Sequence, residues 1–445
     1  MSGGCLWVAR AATSPKAAPA APAPAAAPAP PTGPPVTTGR FALGINEAVA
    51  VPSRMLDRGI APAALEQMLG EDAALTRALG ATLVRGHTGN FPRISAYTLA
   101  RNPAQRNDAD RWVQAVQGAG LEGVLMVSPW PGNQTFNHTD VYVPPDMSAY
   151  EAYVAAMVER YDHDGVEDMP GLSAPIRYWE VDNEPDLKLN TAPKGGEKPF
   201  KPGTFCTPAE YAQVLIASSR AIHRAYPDAK VLNGGPFRPH AETGRDYVQK
   251  LFQIPGVRDA VDIVSLHTYP NDDAGETLVR GIEAVRAAAP GKPLWVTETS
   301  VSIDADTDAE AQGRQVVVLA ARAAEAGVER LFWHTLADPP PVDEGRGQRQ
   351  PPSGFRTNSL LQAGSSGERS DKPAGAVFRN LSAVLAAHDL VGATSAGVGL
   401  TRLTDGSILV WSGSHAAPTG GVDLRTGTPI VAGATAAAPA WLAAP

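Results

Sequence analysis

Two short segments of this chain end apolar runs in carboxylates. In YWEVDNEPDL, residues 178–187, Tyr178, Trp179 and Val181 suit a buried strand; Asp182, Asn183 and Glu184 then arrive together before Pro185 stops the ladder. In LWVTETS, residues 294–300, Glu298 follows Leu294, Trp295 and Val296 in the same way. Two carboxyls brought face to face can cleave a glycosidic bond. One, protonated, donates to the leaving oxygen; the other, ionised, attacks the anomeric carbon or activates water. Proximity pushes their pKa values apart, because ionising one makes ionising the other harder. A gap of roughly 5–5.5 Å serves retention of configuration, and roughly 6.5–9.5 Å serves inversion.

Such a pair needs a scaffold, and eight apolar runs supply one. They are FALGIN at 41–46, TLVRGH at 82–87, EGVLMVSPW at 122–130, IRYWEVDN at 176–183, VLNGGP at 231–236, VDIVSLHTY at 261–269, PLWVTETS at 293–300 and RLFWHTL at 330–336. Most are too continuously apolar for a half-exposed antiparallel sheet and suit buried parallel strands. Helical patterns lie between them. Tyr150, Tyr153, Val154, Met157, Val158 and Tyr161 form one stripe, with Ser148 and Glu151 as an expected capping box. Thr207, Pro208 and Glu210 give a second helix start, and a last helix is expected over 374–387.

Eight strand–helix units predict a (β/α)8 barrel over residues 40–388. The competing doubly wound sheet would carry a Gly-rich phosphate turn after its first strand, and GINEAVAVPS has none. Residues 389–445 predict a small all-β appendage, with Asp405-Gly406 as a hairpin turn. Residues 1–39, rich in Pro and Ala, predict a disordered tether. Cys5 sits in MSGGC, which resembles the end of a lipobox; it is a lipid anchor only if a signal lies upstream. Export, to the cell surface, periplasm or medium, is the expectation from the tether.

In a barrel of this kind the reaction site lies at the carboxyl ends of the strands. Those ends hold Arg85 and His87 on the second, Trp130 on the third, and Asn183 and Glu184 on the fourth. The sixth ends in His267 and Tyr269, the seventh in Glu298, and the eighth in Trp333 and His334. Each has a plainer reading as well. Glu184 can cap a helix, Arg85 can sit in a buried ion pair, His267 can be a satisfied core residue, and Trp130 and Trp333 can be packing. Asp182 and Asp186 read as capping or salt-bridge residues, and the NGGP of Asn233–Pro236 as a tight turn.

Other classes lack their marks. The net charge of −8 and the absence of a Lys/Arg run argue against a nucleic-acid surface. Nine histidines show no HExxH spacing, GxSxG is missing, and no stretch of eighteen apolar residues occurs. No metal and no cofactor is expected.

The segment WEVDNEP with the later LWVTETS resembles clan A of the glycoside hydrolases, retaining enzymes on a (β/α)8 barrel. The resemblance covers residues 41–388 and is most similar to family 39, with DNEP also reminiscent of family 44. It implies that Glu184 is the acid/base and Glu298 the nucleophile. Asn183 would bond the sugar 2-hydroxyl, Tyr269 and Arg85 would hold the nucleophile, His267 would line the site, and Trp333 would be a sugar platform. Family 39 usually has Trp where this chain has Asp182. The implied substrate is an oligo- or polysaccharide with β-linkages. A catalytically silent carbohydrate-binding barrel and a transglycosylase stay open beside it.

Overall fold

A computed structural model of the chain describes residues 40–46, 62–86, 108–129, 142–186, 206–270, 274–303, 307–338, 357–363 and 369–444. All eight expected strands form, as β1 (Ala42–Asn46), β2 (Leu83–Arg85), β3 (Glu122–Val127), β4 (Tyr178–Val181), β5 (Lys230–Asn233), β6 (Val264–His267), β7 (Leu294–Thr299) and β8 (Arg330–His334). They lie in one parallel sheet in the order β5-β4-β3-β2-β1-β8-β7-β6. Between β5 and β6 isolated bridges, Leu232 to Ile263 and Phe237 to His267, bring the two edges together. The buried Asn233 amide completes that seam. Its Nδ2 donates to the Ser265 carbonyl at 3.0 Å, and its Oδ1 accepts from the Ser265 N–H at 2.9 Å. The result is a nearly closed (β/α)8 barrel.

Two apolar layers hold it. The larger packs the outer strand faces on the helices. The smaller fills the bottom of the barrel with Leu83, Val124, Leu232, Ile263, Trp295 and Phe332. Gly44 is required there, because a Cβ would overlap the Phe332 ring. Above this apolar floor the interior turns polar, with Asn46, Arg85, Glu180, Ser265, His267 and Thr297 all buried. Buried polar groups must find partners, so this layer is where geometry is most tightly specified.

Helix Pro208–Ala225 starts with the expected capping box. Glu210 N–H donates to Thr207 Oγ1 at 3.2 Å, and Thr207 N–H donates to Glu210 Oε2 at 2.8 Å. Helix Met147–Glu159 buries the expected stripe but is capped differently: Asp146 accepts from Ala149 N–H at 2.9 Å. Ser148 and Glu151 are therefore not its capping pair. Glu151 instead pairs with Arg220 on the neighbouring helix.

The final helix, Pro373–Ala387, carries the all-β appendage. A six-stranded sheet and a two-stranded one span Thr394–Leu442. Asp405-Gly406 is the turn of the hairpin in which Arg402 pairs Ile408, with Gly406 at φ 86. The sheet is fastened by Asn380 Nδ2 donating to Leu424 O at 2.9 Å and by His388 stacking 4.5 Å from Trp441. Among the described residues no helix is long and apolar enough to cross a membrane. The tether, Cys5 and most of the long loops after β3, β4 and β8 lie outside the described residues.

Candidate active site

The end of β4 is held open by its own backbone. Asp182 and Glu184 have φ 66 and φ 48, the left-handed region that side chains rarely adopt, flanking Asn183. Surrounding bonds enforce this. Asp182 N–H donates to Val127 O at 2.7 Å, and its carboxylate accepts from Ser128 Oγ at 2.9 Å and Tyr142 OH at 2.6 Å. Glu184 N–H donates to Gly234 O at 2.7 Å. Asp182 thus anchors the turn on its outer side. Asp186 caps the next one, accepting from Phe237 N–H at 2.8 Å.

The end of β7 uses a different device. Register shifts fall between Val296 and Thr299 against β8, and between Leu266 and His267 of β6 against β7. An irregularity of this kind breaks the two-residue alternation. Thr297 and Glu298, adjacent in sequence, consequently both reach the barrel interior, Thr297 toward Glu180 and His267, Glu298 toward Asn46 and Arg85.

Arg85 is fully buried and joins the two walls. It pairs with Glu180 through Nε; Nη1 donates to Asn46 Oδ1 at 3.1 Å and Glu298 Oε2 at 3.2 Å; Nη2 donates to Asn183 Oδ1 at 2.8 Å. With its oxygen turned to the guanidinium, the Asn183 amide presents its NH2 end for other partners. Glu298 is further held by Asn46 Nδ2 at 2.7 Å and by the Tyr269 hydroxyl. His267 stands between the glutamates, with Nδ1 3.0 Å from Glu184 Oε1 and 3.8 Å from Glu298 Oε2. Oxygens of the two glutamates come within 4.8 Å of one another.

Their environments are opposed. Burial, and then the charge of Glu298, push Glu184 up to about 8. Burial also works against ionising Glu298. The nearby His267, His334 and Arg85, with the Tyr269 hydrogen bond, outweigh it and hold this carboxyl well below the usual range. Burial depresses His267 to about 4, which leaves its imidazole neutral at pH 7. One carboxyl keeps its proton at neutral pH while its neighbour has lost it.

Glu184, His267 and Glu298 could in principle ligate a cation, each offering one atom. The donor set does not suit one. Arg85 already occupies Glu298 Oε2, and its permanent charge would face the ion at close range.

Of the nine expected site residues, Arg85, Asn183, Glu184, His267, Tyr269 and Glu298 gather here. His87 and Trp130 lie outside the described residues. Trp333 does not line the mouth. It pairs with Ile45 on the outer face of the barrel, is fully buried in the sheet–helix core, and donates its indole N–H to Asn358 O at 2.8 Å. The pleat puts its neighbour inside instead. His334 faces the interior, with Nδ1 3.1 Å from Asn46 Nδ2 and its ring edge-on to Tyr269 at 6.2 Å. The alternation Phe332 in, Trp333 out, His334 in was the signal for this. His334 was named at this strand end by the sequence reading, whereas Asn46 and Glu180 were missed.

The NGGP turn acquires a role here too. Gly234 N–H donates to Tyr211 OH at 2.6 Å, and Gly235, at φ 51, has no room for a Cβ, which would overlap the His267 ring. Gly235→Ala is expected to cost about 2 kcal/mol through backbone strain and overpacking, and to displace His267. An unchanged urea midpoint would contradict this tight seat.

Two polarised carboxyls at the mouth of a (β/α)8 barrel suit glycoside hydrolysis, and residues 181–350 match the family described as glycosyl hydrolase catalytic core. Over those residues the chain is similar to an O-glycosyl hydrolase core, and its barrel is like those of family 39 structures. A family 39 glycoside hydrolase from Bacteroides cellulosilyticus superposes with a TM-score of 0.57 at 14% identity, over 90% of this chain and 80% of that one. A family 39 β-xylosidase from Caulobacter crescentus gives 0.54 at 19% identity, over 86% and 80%. A glucosidase from Croceicoccus marinus gives 0.51 at 16% identity, over 90% and 82%. No curated protein matches the sequence.

Proposed function

We propose that the chain hydrolyses β-glycosidic bonds of oligo- or polysaccharides with net retention. Glu298 attacks the anomeric carbon as Glu184 protonates the leaving oxygen. A glycosyl ester forms on Glu298, and Glu184 then takes a proton from water as that water releases the sugar. The observation that carries this is the pair itself. An oxygen of each lies within 4.8 Å of the other, which supports the short gap of retention, roughly 5–5.5 Å between carboxyls.

The other residues take supporting roles in this reading. Arg85, Asn46 and Tyr269 keep Glu298 ionised and aimed. The Asn183 NH2 donates to the 2-hydroxyl of the sugar, and no cofactor enters. His87 and Trp130 are assigned to substrate binding by their place in the sequence after the second and third strands. The β-xylosidase likeness supports β-linked sugars as the first substrates to try. The Pro/Ala-rich beginning supports action outside the cytoplasm, with the polymer reached from a tether.

The test exploits leaving-group chemistry. Removing a general acid typically costs about 10²–10⁴-fold where the leaving oxygen needs a proton. Glu184→Ala is therefore expected to lose that much on natural linkages and far less on nitrophenyl glycosides. In the wild type the alkaline limb of kcat/KM should fall near pH 8, where Glu184 ionises and the acid form is lost. Equal losses on both substrate types would end the acid assignment.

A further inference from the structure

We propose that Glu180, buried beneath the site, is a positioning residue that acts through Thr297 and His267 to fix the proton on Glu184. This rests on Glu184 being the proton donor of the reaction proposed above.

Four groups stand in a line. Glu180 Oε1 lies 3.0 Å from Thr297 Oγ1, Thr297 Oγ1 lies 3.0 Å from His267 Nε2, and His267 Nδ1 lies 3.0 Å from Glu184 Oε1. At the far end Glu180 is wholly buried and ion-paired with Arg85. An ionised carboxylate only accepts, and a threonine hydroxyl carries one hydrogen. If Thr297 gave that hydrogen to His267, two oxygens would face each other without a proton at 3.0 Å. Giving it to Glu180 satisfies the contact and turns a lone pair toward His267. The imidazole must then donate from Nε2, which makes Nδ1 an acceptor, and Glu184 must supply the proton for the last bond.

The groups facing His267 agree with a neutral ring. Burial decides for neutrality; Glu298 and Glu180 favour a second imidazole proton, Arg85 on β2 and His334 on β8 oppose it, and the protonated Glu184 that faces Nδ1 adds no charge. With Nδ1 as acceptor, an ionised Glu184 would set oxygen lone pairs against a nitrogen lone pair. The line therefore raises the cost of ionising Glu184 in the resting enzyme. It also makes the carboxylate left after leaving-group protonation a stronger base toward the incoming water, whose proton returns to Glu184. The Glu180 carboxylate pairs with the same arginine that bonds Glu298, so one buried ion pair biases the two site glutamates in opposite directions.

The test reads protons directly, without turnover. Imidazole ¹⁵N shifts report which nitrogen of His267 carries hydrogen, with its signals identified among the nine histidines by their loss in His267→Asn. Side-chain ¹³C shifts report the titration midpoint of Glu184. The wild type should show Nε2–H. Thr297→Val, with Thr297→Ala in its place if the valine variant does not fold, should move hydrogen to Nδ1 and lower the Glu184 midpoint by about one pH unit or more. Thr297→Ser should restore both. Nδ1–H in the wild type, or a Glu184 midpoint unmoved by loss of the hydroxyl, would overturn the proposal. Absence of glycoside hydrolysis by the wild type would count against the proposed function alone, since neither shift depends on it.

Discussion

Glu298→Ala is expected to lower hydrolysis of every responsive β-glycoside by at least about 10⁴-fold while leaving the fold intact, the order of loss seen when a covalent nucleophile is removed from a preorganised site. The side chain is almost entirely buried and accepts from Arg85, Asn46 and Tyr269, so truncation empties a pocket built for one anion. That geometry makes a second result readable. A small anion such as azide, admitted to the space, should restore turnover on an activated aryl β-glycoside and give the α-glycosyl azide. Wild-type activity in the alanine variant, or rescue that yields the β-azide, would remove Glu298 from the role of nucleophile.

Arg85→Met is expected to destabilise the protein by about 3–5 kcal/mol at neutral pH, because it leaves the buried Glu180 carboxylate without its ion partner. The loss should depend on pH in a definite direction. Glu298 is held below the ordinary carboxylate range in the folded protein. Its contribution is present above the unfolded value of roughly 4.3 and is lost as pH falls toward the folded value. Arg85 is one source of that depression, after His267 and His334. The stability gap between wild type and variant should therefore be widest near pH 7 and narrow below about pH 4. Urea unfolding at pH 7 and pH 3 measures both ends. An equal gap at the two would mean that Arg85 contributes packing rather than charge.

Much of the scaffold was legible because its signals are local. A parallel strand buried on both faces must be an unbroken apolar run, and all eight runs became staves. A capping box is a four-residue pattern, and Thr207–Glu210 forms as written. Ser148–Glu151 satisfies the same pattern, yet an aspartate two residues upstream took the cap and Glu151 went to an arginine across the helix pair. Local grammar cannot weigh a competitor supplied by another helix.

The site divides along the same line. Residues at strand ends were found by position, but which face each takes depends on the pleat. One step of it sends Trp333 into the helix-side core and His334 into the mouth. Glu180 escaped notice because a carboxylate within an apolar strand looks like an interruption until Arg85, Ser265 and Thr297 are brought around it from three other strands. The adjacent inward positions of Thr297 and Glu298 depend on register shifts that no alternation rule contains.

The seam between the fifth and sixth staves bears on this arrangement in a way of its own. The short arc from acid to nucleophile passes through β4, β5, β6 and β7, and its middle joint is made of isolated bridges and a side-chain amide rather than a full ladder. Wear at that hinge would be felt as calibration rather than collapse: the caliper formed by the two glutamates would open or tighten while the rest of the cask stayed hooped by its neighbours.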